Sequence, residues 1–247
     1  MRRVVGPGGR VRGYQVLAGL LVVVLAYILA RGHIVRGASL LLFAVLIPSI
    51  ILHEISHGVV ALALGDDTAK RAGRLTLNPI PHIDILGSLI LPAVLVIGGF
   101  PAFGYAKPVP VNVSRLRHPR NGSLVVALAG PATNIVLAGL AALGLRLVLP
   151  TIPTPIYSPG QLPLGVQALF YFGVANVLLA VFNLIPLPPL DGSAVIERFL
   201  PRSWLPGYLR IRMFALPVVF LLVFLVPGVL NHVFDPAINL WAHLLGP

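Results

Sequence analysis

A chain of 247 residues that is 57% hydrophobic and only 10% charged, with a mean hydropathy of +0.94, has too little charge to cover a water-facing surface; soluble domains carry about 25%. With no cysteine, disulfides are excluded, and any metal must be held by His, Asp or Glu. The net charge of +11 would suit nucleic acid, but the basic residues stand in blocks between long apolar runs, which points to a polytopic membrane protein instead.

Crossing a bilayer takes roughly 20 apolar residues. In chain order, segments 14–30, 38–64, 122–150, 165–187 and 213–230 meet or approach that length. The first is followed by Arg31-Gly32-His33 rather than a small-residue cleavage site, so it reads as a retained helix. Lysine and arginine concentrate before residue 13, between 65 and 121, and between 188 and 212, with 15 of the 18 in those three blocks. The positive-inside rule puts all three blocks and the N-terminus in the cytoplasm, with attraction to anionic lipid as a by-product.

Segment 85–99 is apolar, short and flanked by basic residues on both sides, with Pro92 at its centre. A full crossing would place 100–121 outside, against the charge rule, so a re-entrant segment is expected. Residues 100–113 alternate Pro with Val, which suits an edge strand or an extended loop that could pair with a peptide. The Pro-rich 150–163 stretch is expected to be an external connector, and 236–245 an interfacial helix. The expected fold is therefore all-α and polytopic. Five to six transmembrane helices, a three-helix catalytic core, a re-entrant segment and a short edge strand form one domain over 1–247. Its core spans about 38–192, flanked by helices at 14–30 and 213–230.

Ionisable residues inside membrane helices are costly, so the few present mark candidate sites. In 38–64 they are His53, Glu54 and His57. Residues i and i+4 share a helix face, so the two imidazoles can ligate one zinc ion, with Glu54 in reach of water activated there: the H-E-x-x-H pattern. The bland alternative, helix-packing histidines and a buried acid, would cost about 2.5–3.5 kcal/mol for the carboxylate alone. A catalytic zinc needs a third protein ligand, and the candidates are His33, His82, Asp84, His118, Asp191, His232 and a few exposed acids. Asp191 stands out, because Pro186, Pro188 and Pro189 break the preceding helix and Gly192 permits a turn that could swing it back. Its alternative is a polar helix end facing water.

Asn134 follows Gly130-Pro131 in 122–150, where small residues let another helix approach; it is a candidate substrate-binding residue or a hydrogen bond between helices. Asn183, in the Pro-broken stretch before Asp191, could hold a peptide backbone. His82 and Asp84 could gate the cytoplasmic mouth, or Asp84 could cap the re-entrant segment.

His-Glu-x-x-His in one helix, Gly130-Pro-x-x-Asn134 in a second and Asn183-x-x-Pro-x-Pro-x-Leu-Asp191-Gly192 in a third resemble the site-2 protease family of intramembrane metalloproteases. The stretches 77–88 and 104–111 look like its compact members without a PDZ domain. The resemblance implies His53, His57 and Asp191 as zinc ligands and Glu54 as catalytic base. It further implies that Asn183 contacts the substrate backbone and that 100–113 presents an edge strand to an unwound membrane-spanning substrate. Location in the cell membrane is expected. A zinc- or proton-coupled transporter is the rival reading, but the chain has neither internal repeats nor a path of polar residues. An idle substrate-binding scaffold should have lost Glu54 or a ligand, and neither is lost.

Overall fold

The computed structural model describes residues 37–84, 87, 106–152, 159–201, 203–210 and 228–246. The expected helix at 14–30, residues 213–227 of the one expected at 213–230, nearly all of 85–99, and 100–105 lie outside them. Regular structure among the described residues is helical: α1 Gly37–Ala63, α2 Thr68–Arg71, α3 Pro119–Val148, α4 Leu164–Leu184, α5 Ser193–Phe199 and α6 Val229–His243. Among the described residues, three stretches are long and apolar enough to cross a membrane: Ala44–Ala63, Pro119–Thr151 and Leu164–Leu184. Residues 106–112 carry no strand ladder.

The chain sorts into two compact units, one of Leu41–His82 with Pro108–Pro247, the other of Met1–Leu40 with Ile83–Lys107. In the second, the Asp84 carboxylate accepts the N–H of Gly87 at 2.8 Å, a local capping bond.

Helix ends follow local chemistry. Pro119 opens α3 at a position where its missing N–H costs nothing, three residues before the apolar run itself begins. Helix α4 stops at Leu184, short of the expected 187, because Pro186 cannot extend the ladder. The C-terminal helix starts at Val229 rather than 236, behind Gly228 at φ +82, a conformation that favours glycine.

The core lies between α3 and α4. Ala138, Ala141 and Ala142 bring the α4 backbone close, and Leu145, Val177 and Trp241 of α6 fill the seam. Trp241 sits where a side chain at Gly173 would be, and its indole N–H donates to the Ala138 carbonyl at 2.8 Å. The opposite side of α3 exposes Val125, Ile135, Val136, Leu140, Leu143 and Leu147, a stripe suited to lipid rather than water.

Past α1 the chain turns at Gly65 (φ +106) and is pinned to the 112–117 segment. The buried Asp66 carboxylate accepts the Asn112 N–H at 2.6 Å, the Thr68 N–H at 3.0 Å and the Thr68 hydroxyl. Arg117 N–H reaches the Leu64 carbonyl at 2.9 Å. Burial pushes the Asp66 carboxyl up, but these hydrogen bonds and the Arg115 charge outweigh it and hold it below the usual carboxylate range. This latch delivers residues 108–111 onto α1, where Gly58 leaves room for Leu75, Ala69 and Val109.

Candidate metal centre

His53 and His57 lie one turn apart on α1, both buried, as the i, i+4 spacing requires. Their Nε2 atoms are 3.1 Å apart. Asp191 arrives from the far side of the α4 break. Its Oδ2 lies 3.1 Å from His53 Nε2 and 3.3 Å from His57 Nε2, buried and without a hydrogen-bond donor. Among the described residues, these three are the His/Asp/Glu group close enough to hold one metal ion.

The turn carrying Asp191 is tight. Gly192 N–H donates to the Asn183 carbonyl at 2.6 Å, and a Cβ on Gly192 would lie 2.6 Å from the Ile185 carbonyl oxygen and collide with that of Leu184. The glycine is needed here, but for close approach rather than for an unusual backbone angle, since its φ is −57.

The imidazoles are oriented from behind. His57 Nδ1 lies 2.7 Å from the Val126 carbonyl, which can only accept, so the proton sits on Nδ1 and the lone pair on Nε2. His53 Nδ1 lies 2.5 Å from Asn134 Oδ1, which places its proton and lone pair the same way. Two nitrogen lone pairs and a carboxylate oxygen thus converge with no proton between them, an arrangement that a cation stabilises. Tetrahedral zinc with bonds of about 2.0–2.1 Å sets neighbouring donors about 3.3 Å apart, so the donor set and its spacing fit zinc.

Gly130 makes the approach possible. A Cβ there would fall within 2.5 Å of both Nε2 atoms. Pro131 adds a missing N–H, which opens the α3 ladder at this turn. Gly130→Ala is expected to lower zinc content, since the added methyl would force both imidazoles aside at an overpacking cost of about 1–3 kcal/mol. Zinc per chain in the purified variant checks this, and a wild-type zinc content would contradict it.

Glu54 points off the same turn of α1, half-buried, and its Oε2 accepts the Val109 N–H at 2.7 Å. Between Pro108 and Pro110, neither of which has an N–H, Val109 supplies the lone backbone donor of that triplet. Asn134 is fully buried, with its oxygen on His53 and its Nδ2 2.7 Å from Asn176 Oδ1. Asn183 turns its amide to the Leu179 carbonyl at 2.9 Å and touches the Asp191 turn through its backbone. His82 lies buried 3.0 Å from the Thr76 carbonyl, and His232 lies 2.9 Å from that of Gly228; neither joins the cluster. Asn176 and Ser49 take part in this network, yet no motif contains them. A lone amide in the apolar run 168–182 was the available signal.

A family model described as peptidase family M50 matches residues 152–226. Three similar curated proteins share the printed name "Putative zinc metalloprotease". YwhC of Bacillus subtilis is 36% identical over 78% of this chain and 84% of its own length. Rip2 of Mycobacterium tuberculosis (strain H37Rv) is 32% identical over 87% of this chain and 74% of its own. MJ0611 of Methanocaldococcus jannaschii is 32% identical over 66% and 75%. No solved structure matches. A likeness of this extent, on top of a donor set suited to zinc, makes the chain a member of peptidase family M50, the zinc-dependent site-2 protease family.

Proposed function

We propose that this protein is an intramembrane zinc endopeptidase that cleaves peptide bonds in membrane-spanning segments, with His53, His57 and Asp191 as the metal ligands. The supporting observation is the position of their convergence. His53 is the tenth residue of the 20-residue apolar stretch Ala44–Ala63, roughly 15 Å from either end at 1.5 Å per residue, near the middle of a hydrocarbon layer about 30 Å thick.

Zinc held there supplies Lewis acidity toward water and toward a carbonyl oxygen. Glu54, next to His53, acts as general base, taking the proton of the attacking water and passing it to the leaving amine. Asn183 contacts the substrate backbone. Asn134, with both ends of its amide engaged by protein, acts through His53 instead. The scissile carbonyl of an intact helix is shielded, so the substrate must unwind. Pairing along 100–113 as an edge strand offsets the hydrogen bonds lost. In that step the Val109 N–H passes from Glu54 to a substrate carbonyl.

The full reading is a single domain over 1–247, with five to six spans, a re-entrant 85–99, and the N-terminus and the 65–121 block in the cytoplasm. In lipid vesicles holding the zinc-loaded protein and a single-span protein with helix-weakening residues, two fragments are expected. Cleavage confined to soluble unfolded peptides would refute the intramembrane assignment. Because the chain has no cysteine, the same vesicles report orientation. Asn78→Cys should react with an impermeant thiol reagent from the cytoplasmic side and Gly165→Cys from the outside, and the reverse pattern would invert the topology.

A further inference from the structure

The two imidazoles are held by different kinds of partner. His57 leans on a backbone carbonyl, which has one possible role. His53 leans on the side-chain amide of Asn134, which has two ends. Reversed, that amide would offer Nδ2 to His53, the imidazole proton would move to Nε2, and the metal-facing lone pair would be lost.

The direction is decided further back. Asn134 Nδ2 donates to Asn176 Oδ1 at 2.7 Å. Asn176 Nδ2 donates to the Phe172 carbonyl at 2.8 Å and to Ser49 Oγ at 2.9 Å, while the Ser49 hydroxyl donates to the Val45 carbonyl at 2.9 Å. Phe172 and Val45 offer backbone carbonyls, which only accept, so the chain of donors can run one way only. Ser49, Asn134 and Asn176 are fully buried, so no water can substitute.

Resting on the zinc-ligand reading above, we infer that Asn176 is a positioning residue for the metal centre: oriented by Phe172 and Ser49, its amide sets the direction of Asn134 and so keeps the Nε2 lone pair of His53 facing His57 and Asp191. The network ties α1, α3 and α4 together at the same point, so geometry and tautomer are fixed by one set of bonds.

The test uses the full chain in detergent, with zinc affinity read by chelator competition and the His53 tautomer by nitrogen-15 NMR after metal removal. Asn176→Leu, close in shape but without polar atoms, should weaken zinc by about 10-fold or more, within the range known for groups behind metal ligands. It should also turn His53 into a tautomer mixture. Asn176→Asp in its neutral acid form keeps an acceptor and one donor, and should stay within about threefold of wild type with His53 protonated on Nδ1. A purely structural role would lower the melting temperature without changing the tautomer. Wild-type zinc affinity or an unchanged tautomer in Asn176→Leu overturns the inference, as does an aspartate variant that binds zinc ten times more weakly. If the leucine variant does not fold, the aspartate variant decides alone. His53→Ala runs alongside: if it keeps zinc, the ligand assignment itself fails, whereas its loss of zinc beside a wild-type Asn176→Leu defeats only the inference.

Discussion

Asp191→Ala is expected to lower zinc affinity by more than about 100-fold, beyond the range for groups that merely support a ligand, and to abolish cleavage. The reason is geometric. His53 and His57 share one face of α1, so they define two neighbouring corners of a coordination sphere and nothing beyond. The third donor comes from a different part of the chain, through a turn in which Gly192 packs against the Leu184 and Ile185 carbonyls. Removing the carboxylate leaves two neutral imidazoles and no negatively charged ligand facing the ion, in a low-dielectric setting where that charge matters most. The alanine should not unfold the turn, because the Gly192 N–H to Asn183 carbonyl bond is backbone to backbone. Metal analysis of the purified variant, with its helical content by circular dichroism, checks this. Full zinc retention would require a different third ligand.

Glu54→Gln should separate chemistry from binding. Glutamine keeps the size of the side chain, and its amide oxygen can still accept the Val109 N–H that Glu54 Oε2 now holds at 2.7 Å. Glu54 is not among the three residues whose ligand atoms converge, so zinc content should stay at the wild-type level. What disappears is the ability to take a proton, and cleavage should fall by about 10²–10⁴-fold, the usual contribution of general base catalysis. Zinc analysis and the vesicle cleavage assay on the same preparation give both numbers. A variant that cleaves at the wild-type rate would sink the proposed role of Glu54.

Some of this was legible without coordinates because it is local or periodic. The i, i+4 spacing of His53 and His57 puts two imidazoles on one face in any α-helix. The apolar runs at 38–64, 122–150 and 165–187 meet length rules set by the bilayer, and each appears as a helix within three residues of its expected ends at most. Asp191 was readable as a candidate because the prolines before it cannot continue a helix and the glycine after it leaves room for a tight turn.

Tertiary structure decided the rest. Asn176 is one of three amides in α4, and two of its partners, Asn134 and Ser49, are 42 and 127 residues away in sequence. Val109 meets Glu54 where Asp66, bonded to the Asn112 N–H, and Arg74, bonded to the Pro108 carbonyl, hold 108–112 in place. The sequence by itself determined where the three long apolar helices form and that His53 and His57 share one helix face, while it left the third ligand open among several residues, because propensity, periodicity and ring constraints act over a few residues. Which lone pair faces the ion depends on acceptor-only carbonyls of distant residues meeting across three packed helices, and a hydrogen bond has no direction until both of its partners are in place.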